Sequence, residues 1–314
     1  MARPLRIQYP GAYYHVTSRG NERKAIFKSD RDRERFLIYL ATATERYQAV
    51  IHVYCLMNNH FHILLETPAG NLSRIMRHIN GAYTTYFNTK HKRSGHLFQG
   101  RYKAYLIDGD SYATELSRYI HLNPVRAGIV EKPEQYQWSS YAAYIGKTKP
   151  PAWLKCGFIL GYMGEKDLNA RKQYRSFVNK MIKEEHYNPL DGVYAATILG
   201  DENFIQEVKD RHLQGREEER DIPAIGKMIE RPGIPVIIKA VDDRFGMDRY
   251  LSKRIALYVS HRYSGKPLRE IGSHFGIGES AVSQASRRLG RQILEDKGLF
   301  QEIEIIVEKI KSKV

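Results

Sequence analysis

Between Gly11 and Pro124 the spacing of apolar residues alternates between a period of two and a period of 3.6, and the order of those changes restricts the folds open to the chain. "GAYYHVTSRG" (Gly11 to Gly20) is a β-branched and aromatic run bounded by glycines, which reads as a strand. "SDRDRERFLIYLATATERY" (Ser29 to Tyr47) opens with a capping residue and acids and carries Phe36, Leu37, Leu40 and Ala43 at helical spacing. Two strands follow, "AVIHVYCLM" and "HFHILLET", joined by Asn58-Asn59, residues that tolerate the positive φ of a tight hairpin turn. "GNLSRIMRHINGAYTTYFNTKH" returns to helical spacing and "GRYKAYLID" to strand spacing. The last element, "GDSYATELSRYIHLNP", is expected to be a helix capped at Asp110 or Ser111 and stopped by Pro124.

Strand, helix, strand, strand, helix, strand is the split βαβ order of a ferredoxin-like fold, an antiparallel sheet with helices on one face. One further helix is left to lie against it. The α+β region is expected to span residues 1–146. "GKTKPPAW" then reads as a boundary, and residues 147–220 form a helical extension of mixed charge with no recognisable site chemistry. The charged run "GREEERD" (Gly215 to Asp221) marks the expected start of an all-α region over 221–314.

The charge balance narrows the partners. The chain has 50 Lys and Arg against 35 Asp and Glu, a net charge of +15. Residues 1–150 hold 22 basic and 11 acidic side chains, 151–220 hold 11 and 12, and 221–314 hold 17 and 12. Two basic blocks flank a neutral one, which suits a polyanion, nucleic acid first of all. The 22 tyrosines among them suit base stacking. Cys55 and Cys156 are the only cysteines, so a disulfide framework and a cysteine-based zinc site are both excluded. No apolar run approaches the ~18 residues of a spanning helix, and "MARPLRIQYPG" has no apolar signal core. A cytoplasmic protein without a membrane partner is expected.

Candidate chemistry begins with "HFH". On a strand, side chains alternate faces, so His60 and His62 emerge together with Phe61 opposite, a geometry for sharing one divalent ion. By itself the pair is weak evidence, because a histidine is ordinarily a hydrogen-bonded core or surface residue. The last helix adds to it. Tyr119 and Asn123 are i and i+4, hence neighbours on one face, whereas Ala113, Leu116 and Ile120 form the stripe that seats the helix. His121 is turned away from Tyr119. A phenol can attack a phosphodiester, and an ion held by two imidazoles and an amide oxygen can polarise the phosphate.

In the second basic block, "LREIGSHFGIGESAVSQASRRL" (Leu268 to Leu289) reads as helix, glycine-containing turn, helix. Ile271 and Phe275 line the first helix, and Val282, Ala285 and Leu289 the second. That leaves Ser280, Ser283, Gln284, Arg287 and Arg288 exposed, residue types that contact base edges and phosphates.

Taken together, "HFH", "YIHLNPVRAGIV", "YYHVTSRGNERKAIF" and "GHLFQGRYKAYLID" resemble the HUH single-tyrosine transposases of the insertion-sequence type, and more closely the REP-associated tyrosine transposases. The resemblance covers roughly residues 3–145. It implies a metal-dependent enzyme acting on single-stranded DNA at or near hairpins. His60 and His62 match the motif histidines that bind Mg²⁺ or Mn²⁺, Tyr119 matches the nucleophile, and Asn123 stands where the family places its third ligand. An amide ligand favours a hard ion of this kind over Zn²⁺. The implied product is a 5′-phosphotyrosine with a free 3′-OH. Arg19, Arg101, Lys103 and Arg126 are the expected DNA contacts of this region. Relatives include dimers and monomers, so both a homodimer and a monomer stay open. With the preceding "DRYLSKRIALYVSHRYSGKP", residues 233–300 resemble the DNA-binding domain of the bacterial initiator DnaA, which implies a duplex-binding role.

Two other readings remain. A non-catalytic DNA-binding regulator derived from a transposase would be favoured by loss of Tyr119 or of either histidine, and all three are present. A hydrolase using H-x-H and a water would call for further clustered Asp, Glu or His ligands, which the sequence lacks.

Overall fold

Four segments with period-two spacing pair as β1 (Ala12–Arg19), β2 (Val50–Leu56), β3 (His60–Thr67) and β4 (Lys103–Ile107). The structure is a computed structural model that describes residues 5–182, 184, 188–212 and 231–311. The strands lie in the order β2-β3-β1-β4 with every pairing antiparallel, as the split βαβ order requires. A fifth strand, β5 (Ile198–Leu199), pairs parallel with β4, so the sheet is mixed at that edge rather than wholly antiparallel. Two residues are too few to show a period, and nothing in the sequence marks them.

The two faces of the sheet carry different helices. On one, α1 (Asp30–Tyr47) and α2 (Leu72–Lys90) pack through Phe36, whose ring lies 4.8 Å from Phe61 and 5.1 Å from Tyr83. Asn80 Nδ2 donates to Ser18 Oγ at 3.1 Å on the same side. The other face is covered by α3 (Gly109–Arg126), with Ala113, Leu116 and Ile120 fully buried. At ~25 cal/mol per Å² of apolar surface, side chains enclosed this completely contribute on the order of 1–3 kcal/mol each.

Three local expectations change. The cap of α3 is Asp108, whose Oδ1 accepts from the backbone N–H groups of Asp110 at 3.2 Å and Ser111 at 3.4 Å. Placing the cap earlier lets Gly109 begin the helix against β1, where an added Cβ would fall 2.9 Å from the Tyr13 ring. Pro124 lies inside α3 rather than ending it. Only the one N–H that would have reached Ile120 is lost, and the chain recovers through Ala127 N donating to the Asn123 carbonyl at 2.9 Å and Ile129 N to that of Pro124 at 2.9 Å. Asn58 and Asn59 do not take positive φ. Tertiary bonds hold their loop instead: Ile26 N and Phe27 N donate to the Asn58 carbonyl, Gly20 N to that of Asn59, and Arg33 to Asn58 Oδ1 at 2.7 Å.

Residues 1–224 form one compact unit and 225–314 another. The run Gly215 to Asp221, where the sequence sets a boundary, lies outside the described residues. In the first unit α4 (Tyr141–Tyr144), α5 (Gly157–Gly161), α6 (Asp167–Asn179) and α7 (Glu202–His212) follow α3. The extension grips α3 through a buried polar network. His121 bonds through Nδ1 to Tyr174 Oη and through Nε2 to Ser140 Oγ, both at 2.7 Å, and Tyr174 Oη lies 2.9 Å from Ser117 Oγ.

Every described element of the second unit is a helix: α8 (Ile234–Phe245), α9 (Arg249–Tyr263), α10 (Leu268–Phe275), α11 (Glu279–Glu295) and α12 (Lys297–Lys311). Its core joins Ile237, Val241, Ile255, Val259, Ile271, Val282, Leu289 and Ile310. Gly276 closes α10 in the left-handed region (φ 68°), a conformation that favours glycine and turns the chain into α11. Among the described residues no helix is long and apolar enough to cross a membrane.

Candidate active site

The face of the sheet beneath α3 collects imidazoles because of strand register. Thr17 on β1 faces His62 on β3, and Arg19 faces His60. His15, two residues before Thr17, shares that face. Its Nε2 lies 2.9 Å from His62 Nδ1, and the two rings stack at 5.1 Å. The His60 and His62 rings are 5.0 Å apart and nearly perpendicular, at 83°. His60 Nδ1 donates to Asn59 Oδ1 at 2.7 Å, the amide being oriented by Asn59 Nδ2 donating to the Arg23 carbonyl at 2.9 Å. The Nδ1 atoms of His60 and His62 are thereby engaged and their Nε2 atoms are left, whereas His15 is engaged through Nε2.

Tyr119 comes down from α3 onto this cluster. Its ring meets His62 edge-on at 5.9 Å and His15 at 6.3 Å. The Arg126 guanidinium lies 5.3 Å from the Tyr119 ring centroid, and Asn123 Nδ2 donates to the Tyr119 carbonyl at 2.8 Å, which leaves Asn123 Oδ1 over. Sheet and helix together bring His60, His62 and Tyr119 to one place, with Asn123 and Arg126 on the same helix.

The electrostatics follow from enclosure. Burial lowers the pKa of His60 to about 4, with Arg19 adding to the effect, and that of His15 to about 3. His62 is held well below the ordinary value by burial first and then by its two imidazole neighbours and Arg19. All three rings are therefore neutral at pH 7, the state in which a ring nitrogen can donate its lone pair. Burial also raises the pKa of Tyr119, an effect that Arg126 and Arg19 oppose and Tyr105 and Asp191 reinforce. The phenol is protonated at neutral pH and needs activation.

Among the described residues no three His, Cys, Asp or Glu side chains gather so as to hold a metal. The candidate donors are neutral: the Nε2 atoms of His60 and His62 and the amide oxygen of Asn123. The amide oxygen suits a hard divalent ion and the imidazoles a transition ion, a mixture that Mn²⁺ accepts more readily than Mg²⁺.

The remaining expected contacts are dispersed. Lys103 on β4 faces Thr17 in register, next to the cluster. Arg101 is elsewhere, lining an open groove of about 480 Å³ with Arg6, Arg77, Asn80 and Tyr102 beside α2. Ser280, Gln284, Arg287 and Arg288 are exposed on α11 in the second unit, and Ser283 is half-buried. His15 went unnoticed in sequence. Period-two counting along β1 puts it on the same face as Thr17 and Arg19, but only the pairing with β3 brings it to His62.

Residues 8–123 match the family model described as Transposase IS200 like. This IS200-like stretch takes in β1 to β4, α1, α2 and α3 as far as Asn123, and so contains His15, His60, His62 and Tyr119. The chain is also similar to a solved structure of a REP-associated tyrosine transposase bound to a REP hairpin. That likeness has 16% identity and a TM-score of 0.41 over 49% of this chain and 92% of the other. No curated protein matches the chain.

Proposed function

We propose that the first unit is a transposase, a metal-dependent endonuclease and strand transferase of single-stranded DNA that uses Tyr119 as its nucleophile. The observation that carries this reading is the Tyr119 ring lying edge-on to the imidazole of His62 at 5.9 Å, on the sheet face that also holds His60. The IS200-like match over the same residues supports it.

In this reading His60, His62 and Asn123 hold Mg²⁺ or Mn²⁺. The ion supplies Lewis acidity to the scissile phosphate. Tyr119 Oη attacks the phosphorus and loses its proton, a bond to the 3′ oxygen breaks, and that oxygen takes up a proton to leave as a free 3′-OH. The downstream strand stays on the chain as a 5′-phosphotyrosine. Attack by a 3′-OH reverses the step, so joining needs no ATP. Arg126, beside the Tyr119 ring, favours the phenolate and faces the phosphate that approaches it. Arg19 and Lys103 flank the cluster as phosphate contacts, and the separate groove of Arg6, Arg77 and Arg101 beside α2 offers a second basic surface to a hairpin. In the second unit the exposed side of α11, with Ser280, Ser283, Gln284, Arg287 and Arg288, binds duplex DNA and brings the enzyme to its target.

The test uses a 3′-labelled single-stranded hairpin oligonucleotide, Mn²⁺ and a denaturing gel. A label-bearing band linked to the protein is expected from the wild type and none from Tyr119→Phe. Cleavage that persists in Tyr119→Phe would overturn the assignment.

A further inference from the structure

The two candidate metal-binding imidazoles are each held by a different neighbour, and those neighbours decide which ring nitrogen is free. For His60 the answer is unambiguous. Asn59 gives its Nδ2 to the Arg23 carbonyl, so its Oδ1 is the atom that faces His60 Nδ1 at 2.7 Å. An amide oxygen only accepts, so His60 carries its proton on Nδ1 and offers Nε2.

For His62 the neighbour is another imidazole. His15 Nε2 and His62 Nδ1 stand 2.9 Å apart inside the protein, and one of the two must donate. A ligating nitrogen carries no proton, so an ion on His62 Nε2 requires the proton on Nδ1. His15 Nε2 is then the acceptor, and the proton of His15 sits on Nδ1. That Nδ1 is buried and has no hydrogen-bond partner, and His15 itself is fully enclosed. An unpaired polar atom in a core is rare. The orphan is present in either tautomer of His15, as a bare N–H or as a bare lone pair, and it is the requirement of an ion on His62 Nε2 that sets the direction of the bond.

We propose that Asn59 and His15 are positioning residues that set the tautomers of His60 and His62, so that both present Nε2 to the divalent ion. The proposal rests on the metal-dependent reading above. Histidine ligands are generally oriented by an acceptor on their second nitrogen, most often a carboxylate or a backbone carbonyl. Here one acceptor is an amide and the other an imidazole, both uncharged. The ion therefore gains no negative charge from the groups behind its ligands, and the DNA phosphate is left as the main source of it.

Mn²⁺ titration of the full chain, followed by electron paramagnetic resonance, tests this together with nitrogen-15 correlation spectra of the imidazoles in Mg²⁺. Loss of either acceptor, in His15→Phe or Asn59→Ala, is expected to weaken Mn²⁺ binding by about 10- to 100-fold. His15→Gln restores an acceptor near the place of Nε2 and is expected to stay within about threefold of wild type. Binding of the hairpin oligonucleotide in EDTA is expected to be unchanged in all three, which a merely structural loss would not allow. The spectra are expected to show His60 and His62 of the wild type protonated on Nδ1. Protonation of His62 on Nε2 in the Mg²⁺-loaded wild type overturns the proposal without any variant. A wild type that forms the Tyr119 adduct, beside a His15→Phe variant that binds Mn²⁺ equally tightly, overturns the positioning role and leaves the strand-transfer reading standing. A wild type that takes up no Mn²⁺ removes the metal-dependent reading and the proposal with it.

Discussion

Asn123 is tied to Tyr119 by a hydrogen bond from its side-chain amide to the tyrosine's own carbonyl, 2.8 Å away and one helical turn back. The bond occupies Nδ2 and leaves Oδ1, the atom an ion would take, in a fixed direction relative to the nucleophile. Asn123→Ala removes that oxygen without touching either imidazole. The Mn²⁺ concentration for half-maximal adduct formation is expected to rise by about tenfold. An unchanged Mn²⁺ dependence would exclude Asn123 as a ligand.

The Arg126 guanidinium lies 5.3 Å from the Tyr119 ring centroid, and it opposes the upward pull of burial on the phenol's pKa. If the phenolate is the attacking species, the single-turnover rate rises with pH. Removing the guanidinium then moves the rise to higher pH. Arg126→Ala should therefore be slow at pH 7 and recover in alkaline buffer. A uniform slowing at every pH would instead mean that Arg126 acts on the phosphate alone.

Acid is expected to weaken the first unit through His121. Burial lowers its pKa to about 3, so the folded protein keeps it neutral while the unfolded chain protonates it near 6.5. Between these values the unfolded state binds more protons, and stability falls as pH falls. From pH 7 to pH 5 this one imidazole costs about 2 kcal/mol, to be read as an earlier urea midpoint. Tyr174→Phe removes the hydroxyl that bonds His121 Nδ1 and Ser117 Oγ, and is expected to cost about 1–3 kcal/mol at pH 7. Equal urea midpoints for the wild type at pH 7 and pH 5 would refute the first expectation.

Duplex binding by the second unit should respond to salt. Arg287 and Arg288 are exposed on α11, away from the buried Val282 and Leu289. If each neutralises a phosphate, the double variant Arg287→Ala, Arg288→Ala lowers the slope of log affinity against log salt by about two. Adduct formation on single strands should be untouched. A slope equal to the wild type's would place the duplex contact on another surface.

Much of the first unit is legible in sequence because its elements have local causes. Alternation gave β1 and β3, the stripe Ala113, Leu116 and Ile120 gave the seat of α3, and the H-x-H spacing gave two neighbours on one face. What stayed hidden depends on contacts between distant segments. The role of His15 needs the β1 to β3 register, and the turn at Asn58 and Asn59 is set by Gly20, Ile26 and Arg33 rather than by its own φ preference. Pro124 reads as a stop because a proline pushes the residue before it out of the helical region, while the bonds that hold the last turn are not visible in sequence. The polar network of His121 and Tyr174 joins residues 53 positions apart, and no periodicity announces it.

Gly109 seats the first turn of α3 against the Tyr13 ring, too close for any side chain. Tyr119 sits ten residues further along, about 15 Å at 1.5 Å per residue. A methyl group at Gly109 would wedge the near end of that lever and swing the far end, shifting the phenol relative to His62 while every reacting group kept its identity. The alignment of this nucleophile is thus adjustable from a position that bears no chemistry, a handle through which drift or design could tune turnover.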